Sequence, residues 1–280
     1  VSALWPDHPP VGLKSVTFAP GHFTVDPADV SVSCNGLGVI RLFPNDGSGG
    51  LGAGFIDIPL EGGSFMRPIS FDQDPRRKSY MAVINKVAAR KVPEGAAALP
   101  GESQLVLIGN DSESVPPSYP IVATYAAGLN PVDIQVASLQ GVTGHATPGL
   151  IPDLAVVSSG DGAQQGGVTL LIADQASMQS PGAIAPAYTT SIFLEGQGES
   201  LKGNPLSLAL VDVDRDGDLD VTVLTKQPTE SPSVEILRND LVVNGQINSL
   251  SFSPELETVD VGTAPVQIVG ANLTVRNAAS

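Results

Sequence analysis

The sequence is poor in cysteine, aromatic residues and long apolar stretches. Its one cysteine, Cys34, can form neither an internal disulfide nor a thiolate metal cluster. No run reaches about 18 apolar residues, which excludes a transmembrane helix. One Trp and four Tyr are a thin supply for the aromatic platforms that carbohydrate sites usually display.

Positive charge is also scarce. Lys and Arg number 14 against 29 Asp and Glu, so the formal net charge is -15. This surplus would repel the phosphates of nucleic acids and anionic lipid surfaces, and it would attract divalent cations. Nucleic acid is therefore not an expected partner.

Signatures of catalysis are missing as well. The three histidines, His8, His22 and His145, have no zinc-site spacing, and no GxSxG elbow or P-loop is present. His22 and His145 fall in predicted turns, where a surface position is the simpler interpretation. The sequence thus favours a binding or structural role over an enzyme.

Glycine (30) and proline (24) are abundant, whereas charged residues make up only 15% of the chain. This balance is typical of many short strands joined by turns. Apolar and polar residues alternate over 220–224, and no stretch shows a sustained helical period. We therefore predict an all-β fold with few helices.

An internal repeat defines the predicted architecture. Each copy has an apolar strand, a polar turn, a second strand that often begins with Asp, and a third strand after a Gly- or Asn-rich turn. The copies cover 11–63, 64–128, 129–203 and 204–263, with a partial fifth at 264–280. Their second strands align at Asp29, Tyr80, Asp153 and Asp220.

The length of each copy suits a four-stranded antiparallel sheet with its loops. One such sheet cannot bury both of its faces alone, so the copies are expected to pack on one another as the blades of a β-propeller. The chain is then a single propeller domain or a fragment of a larger propeller.

The segment DVDRDGDLD, residues 212–220, predicts a calcium-binding loop between two strands. Calcium is a hard cation that takes roughly six to eight oxygen ligands, and Gly217 permits the sharp turn that brings carboxylates together. Asp218 is expected to offer its backbone carbonyl while its side chain faces water. The predicted ligands are the five aspartates of the loop: Asp212, Asp214, Asp216, Asp218 and Asp220.

Two alternatives to this loop are less consistent with the residues. An EF-hand needs a bidentate Glu where Val223 stands and a helix where strand-forming residues follow. A metal-free acidic turn would leave five aspartates within nine residues to repel one another. In the second copy, Asp72 and Asp74 precede three cationic residues, so no ion is predicted there.

Three segments resemble the FG-GAP or VCBS repeats of integrin-α-like propellers. They are GVIRLFPNDGSG (38–49), PDLAVVSSGDG (152–162) and DVDRDGDLDVTVL (212–224), and the resemblance covers roughly residues 11 to 280. The resemblance implies a propeller with Ca²⁺ loops between the first two strands of some blades.

The expected function is that of a non-catalytic, calcium-binding propeller. It would act as a secreted or cell-surface binding or assembly module of a bacterium, with a protein or glycan ligand. One alternative is a propeller-borne polysaccharide lyase or hydrolase with its site at the central channel or on the inserts 86–102 and 175–203. Another is a structural subunit of a surface assembly or filament, in contact with other subunits or further repeats.

Overall fold

The described part of the chain is built of β-strands. The computed structural model describes residues 13–19, 29–34, 38–43, 50, 54–60, 63–70, 79–85, 103–109, 118–140, 151–160, 166–177, 185–194, 201, 203–226, 232–239, 242–243, 246–247 and 252–260. These residues form β-strands and no α-helix, so the all-β prediction is confirmed. No helix among them could cross a bilayer.

The chain divides into two compact units, and the first, Val1–Ala126, holds two four-stranded antiparallel sheets. Sheet 1 has the order β1-β2-β3-β4, with β1 at Leu13–Ala19, β2 at Asp29–Cys34, β3 at Val39–Phe43 and β4 at Ile56–Pro59. Sheet 2 has the order β5-β6-β7-β8, with β5 at Gly63–Ser70, β6 at Ser79–Asn85, β7 at Gln104–Gly109 and β8 at Ile121–Ala126.

The second unit, Ala127–Ser280, repeats this plan. Sheet 3 contains β9 at Pro131–Ala137, β10 at Asp153–Ser158, β11 at Gly167–Ala173 and β12 at Tyr188–Leu194, paired in that order. Sheet 4 contains β13 at Asn204–Val211, β14 at Asp220–Lys226, β15 at Ser233–Asn239 and β18 at Phe252–Asp260, also in that order. A small hairpin pairs β16 at Val242–Val243 with β17 at Gln246–Ile247.

The four-stranded antiparallel sheets of the prediction are thus confirmed. Each is formed by one continuous stretch of chain, and none of these described sheets closes on itself. Consecutive strands pair because short turns return the chain antiparallel to itself. This meandering order places the first and second strands of each sheet side by side, with the loop between them at one sheet end.

In the first unit, sheets 1 and 2 share an apolar core. The strands are rich in Val, Ile and Leu, whose side chains suit a pleated, buried surface. The core joins β3 and β4 of sheet 1 to β6 and β7 of sheet 2, and its buried residues are Ile40, Leu42, Ile58, Leu60, Met81, Val83, Val106 and Ile108. Burial of each such side chain contributes roughly 1.5 to 3 kcal/mol to folding.

In the second unit, sheets 3 and 4 are packed together in the same way. Their shared core comprises Leu139, Ala155, Val157, Val168, Leu170, Leu201, Leu208, Val221, Val223 and Leu237. Gly166, just before β11, lies against both sheets, because a Cβ there would meet Ser158 O of sheet 3 at 2.5 Å and Pro205 Cδ of sheet 4 at 2.9 Å. This packing fixes the loop after β13 relative to the turn after β9.

Candidate metal centre

The acidic loop joins β13 to β14 in sheet 4. It turns through two left-handed residues, Arg215 at φ 65° and Gly217 at φ 104°. Glycine adopts such angles without steric cost, whereas a residue with a Cβ loses about 1 kcal/mol there. The rest of the loop must therefore hold Arg215 in this conformation.

Three carboxylates converge in the loop. Asp212, Asp214 and Asp216 each bring one oxygen to within 4.8 Å of the others. Calcium binds oxygens at roughly 2.3 to 2.6 Å, so two oxygens that share one ion lie no more than about 5 Å apart. No other group of three or more acidic, His or Cys side chains is close enough to share an ion among the described residues. This cluster could hold a metal ion.

Backbone amides orient these carboxylates. The N–H of Asp216 donates to Asp214 Oδ1 at 3.3 Å, that of Gly217 to Asp212 Oδ2 at 3.2 Å, and that of Asp218 to Asp216 Oδ1 at 3.2 Å. Asp212 Oδ1 is buried and accepts no hydrogen bond within the part of the chain that the structure describes. A buried acceptor without a donor costs about 1 to 3 kcal/mol, and a cation would supply the missing partner. The residues therefore fit a hard cation.

The cluster carries excess negative charge. Burial raises the pKa of Asp216, and the charges of Asp214 and Asp212 raise this pKa further, against the lowering effect of the hydrogen bond from Asp218. Arg238 forms an ion pair with the cluster, with its Nη1 3.7 Å from Asp214 Oδ2. Arg215 is the one basic residue of the loop 212–220. These two cations do not neutralise the three carboxylates, so the site attracts further positive charge.

Asp220 closes the loop from the first position of β14. Its carboxylate is fully buried. Oδ2 accepts the N–H of Val213 at 2.9 Å and Oδ1 accepts the N–H of Asn239 at 2.8 Å. Burial raises the pKa of Asp220 to about 6, the two hydrogen bonds oppose this rise, and the charges of Asp214 and Asp216 add to it. We call this bridging carboxylate the sheet-4 clasp.

Sheet 3 contains a matching clasp. Asp153 is the first residue of β10 and is fully buried. Its Oδ2 accepts the N–H of Leu139 and its Oδ1 accepts the N–H of Ala173, both at 2.7 Å, with a further bond from Gln140 Nε2 at 2.9 Å. In both sheets the donors are the second residue after the first strand and the last residue of the third strand. Burial raises the pKa of Asp153 despite these hydrogen bonds.

Two polar contacts connect sheet 3 to sheet 4. Asn239 Nδ2 donates to the backbone carbonyl of Leu139 at 2.9 Å. On the first strands of the two sheets, Asp133 Oδ2 accepts Ser207 Oγ at 2.8 Å and the N–H of Leu208 at 3.2 Å. The acidic loop therefore adjoins a hydrogen-bonded boundary between two sheets.

Of the five aspartates predicted as ligands, the structure brings three together. Asp218 was expected to turn its side chain to water, which is wrong, because this residue is fully buried. Asp218 follows the left-handed Gly217 and precedes the start of β14 at Asp220 by two residues, so it lies in the turn by which the chain returns to sheet 4. Asp220 lies outside the cluster and uses both oxygens for backbone N–H groups. The ligand roles of Asp218 and Asp220 stay predictions.

Neither the clasps nor the Asn239 contact was predicted from the sequence. A signal for the clasp was present, since Asp begins three of the four aligned second strands. A signal for Asn239 was the recurrence of Asn-Asp at or just beyond the ends of the third strands, at 45–46, 110–111 and 239–240. Neither signal specifies a partner, because each partner is a backbone group brought close by the fold.

Most of the other residues and segments named in the sequence analysis cannot be compared with the structure. The following lie outside the described residues: His8, His22, His145, Asp72, Asp74, the insert 86–102 and the partial copy 264–280. The insert 175–203 contains β12, so part of it forms the fourth strand of sheet 3.

Comparison of the chain with protein-family models, curated proteins and solved structures found no match. The chemistry of the acidic loop and the plan of the sheets therefore supply the grounds for a function.

Proposed function

We propose that the acidic loop binds calcium and that the chain is a non-catalytic, calcium-stabilised propeller protein. One observation above all supports a bound metal ion. Asp212 belongs to a cluster of three carboxylates, and its Oδ1 is buried without a hydrogen-bond donor among the described residues. A cation satisfies that oxygen and relieves the repulsion among the three charges. Asp212, Asp214 and Asp216 would be its ligands.

Calcium fits this donor set better than other common divalent ions. The cluster contains only carboxylates, whereas zinc sites in proteins are usually built with His or Cys. Magnesium demands a near-ideal octahedron and retains most of its water, while calcium accepts irregular geometry and further carbonyl or water oxygens. A loop with one exposed aspartate and two partly buried ones suits the more tolerant ion.

The plan of the sheets supports propeller blades of the FG-GAP or VCBS type. Four four-stranded antiparallel sheets follow one another along the chain, and sheets 3 and 4 carry the same clasp at the same strand position. Within the second unit, the first strands β9 and β13 are joined by the Asp133 to Ser207 hydrogen bond. Neighbouring blades of a propeller adjoin in this way, with their first strands innermost.

A secreted or cell-surface location suits the character of the site. Calcium affinity rises with ligand charge and rigidity, and extracellular modules bind with Kd values of roughly 10⁻⁴ to 10⁻³ M. Here Asp214 is exposed and is paired with Arg238, which weakens its attraction for a cation. Such a site would fill where calcium is abundant, and the propeller would present a protein- or glycan-binding or assembly surface there.

Calorimetric titration with CaCl₂ tests the metal. We expect binding heat with a Kd of roughly 10⁻⁴ to 10⁻³ M for the native chain. The double variant Asp214→Asn with Asp216→Asn keeps the side-chain shapes and acceptor oxygens but removes two charges, so its affinity should fall at least about tenfold.

Asp174→Asn provides the matched control. Asp174 is exposed, accepts the N–H of Ala176 through Oδ1, and lies outside the cluster. Its variant loses one surface charge and should bind calcium like the native chain. Absence of heat with the native chain, or equal heat with the double variant, would refute calcium binding at this loop.

A further inference from the structure

A continuous hydrogen-bonded path leads from the acidic loop to the neighbouring sheet. Asp220 Oδ1 accepts the backbone N–H of Asn239 at 2.8 Å. The side chain of Asn239 donates to the carbonyl of Leu139 at 2.9 Å and to that of Leu219 at 3.3 Å. The N–H of Leu139 in turn donates to Asp153 Oδ2 at 2.7 Å. The two clasps are therefore joined through one asparagine side chain.

From Asp220 to Asp153 the path is shielded from water, whereas Val213 at the loop end is exposed. Asp220, Leu139 and Asp153 are fully buried, and Asn239 is 1% exposed. A buried hydrogen bond that opens leaves its donor and acceptor unsatisfied, at about 1 to 3 kcal/mol for each group. Because no solvent replaces the lost partners, displacement of one group favours displacement of the next.

The loop end of the path is also the end that a cation would fix. Val213 lies between two members of the three-carboxylate cluster, Asp212 and Asp214, and its N–H is held by Asp220. An ion that immobilises the carboxylates on either side of Val213 therefore immobilises the donor that Asp220 accepts. Stabilising this bond stabilises the position of Asp220 and hence of Asn239.

We infer that calcium in the acidic loop tightens the boundary between sheets 4 and 3, and that the side-chain amide of Asn239 transmits the effect to the turn after β9. The loop then acts as a calcium-dependent brace between neighbouring sheets. This coupling rests on the calcium binding proposed above, and it assigns that site a conformational role beyond stabilising its own sheet.

Amide hydrogen exchange of the full chain, followed by NMR with and without CaCl₂, tests the coupling. At calcium about 100 times its Kd, openings that release the ion become about 100-fold rarer. The amides of Val213 and Asn239 should then exchange up to about 100-fold more slowly, and that of Leu139 at least about fivefold more slowly. Slower exchange at Val213 with no change at Leu139 would overturn the coupling, and this result needs no variant.

The variant Asn239→Ala separates transmission from binding. It keeps the backbone N–H that Asp220 accepts and removes the side-chain donor to Leu139. Calcium should still slow exchange at Val213, while the calcium effect at Leu139 should disappear. An equal effect at Leu139 in this variant would refute the role of Asn239.

Ser207→Ala is the matched control, because it removes a different hydrogen bond between these sheets, from Ser207 Oγ to Asp133 Oδ2, and keeps the bond from the Leu208 N–H. Calcium should slow exchange at both Val213 and Leu139 in this variant. Loss of the Leu139 effect here would show that general loosening of the boundary, and not the Asn239 path, is responsible. If calcium gives neither heat nor slower exchange at Val213 in the native chain, the proposed calcium function fails together with the coupling.

Discussion

The turn after β9 and the loop after β13 are built around the same aspartate position and differ in what lies before it. Asp153 and Asp220 each bridge the second residue after a first strand to the last residue of a third strand. The sequence 138–152 between the sheet-3 strands contains no acidic residue, whereas 212–219 contains four aspartates. The bridging aspartate and the accumulation of further acidic residues are therefore separate features of these two loops.

This difference suggests that the clasp is the structural element and that the acidic cluster is an addition to it. The clasp in sheet 3 forms with glutamine and backbone donors alone. In sheet 4 the same clasp lies beside three carboxylates, two of which, Asp214 and Asp216, raise the pKa of Asp220 in addition to the effect of burial. A bound cation would offset the repulsion that these carboxylates exert on the Asp220 charge and would leave the two hydrogen bonds of the clasp unchanged.

The largest expected effect comes from removing the clasps. Asp153→Ala leaves two buried N–H groups without an acceptor and should lower the free energy of unfolding by about 3 to 4 kcal/mol. Asp220→Ala should cost about 2 to 3 kcal/mol, because one of its two hydrogen bonds is only partly buried. Both values are for calcium-free protein and are measured by denaturant unfolding. Asp174→Asn serves as the surface control.

The structural equivalence of the two clasps would be contradicted if only one of these variants were destabilised. A loss under about 1 kcal/mol for Asp153→Ala, with a large loss for Asp220→Ala, would mean that the turn after β9 is closed by other contacts. Equal and large losses would show that the position is structural in both sheets.

A smaller effect is expected from pH. The folded-state pKa of Asp220, about 6, lies above its ordinary value, so the folded chain binds a proton more tightly than the unfolded chain does. The stability from this proton is present at about pH 4 and is lost as the pH rises through about 6, a decrease of about 2 kcal/mol in unfolding free energy. Unfolding curves over this range, recorded in a chelator, measure the decrease.

Calcium should change the pH dependence that arises from Asp220 but not the part that arises from Asp153. A bound cation neutralises the charges near Asp220 and reduces its share of the pH-dependent loss, whereas Asp153 lies outside the cluster and keeps its share. Saturating CaCl₂ should therefore make the curve shallower without flattening it. In the double variant Asp214→Asn with Asp216→Asn, calcium should leave the slope unchanged, and a shift as large as the native one would place the ion elsewhere.

Much of the fold was predictable from short-range patterns in the sequence. The alternation of apolar and polar residues at 220–224 predicted a strand, because side chains on a pleated sheet point to opposite faces with a period of two. The Asp-rich segment with Gly217 indicated a tight acidic turn for an equally local reason. Local chemistry was enough to identify Asp212, Asp214 and Asp216 as a cluster.

The contacts between sheets could not be predicted in this way. Asn239 reaches the carbonyl of Leu139, one hundred positions away in the chain, and this carbonyl has no side-chain signature. The burial of Asp218 likewise depends on where the chain re-enters sheet 4. Both features follow from packing, which a local pattern does not report.

The smallest expected effect comes from Arg215, which provides a second comparison of the two sheets. The non-glycine residue with a positive φ just before sheet 3 is Asn130, at 50°, and asparagine tolerates this region well. Arg215 is exposed and adopts φ 65° without that advantage. Arg215→Asn should therefore raise the free energy of unfolding by about 0.5 kcal/mol, and the β-branched Arg215→Val should lower it by about 1 kcal/mol. Denaturant unfolding in a chelator measures both, and equal stability of the two variants would contradict a left-handed Arg215.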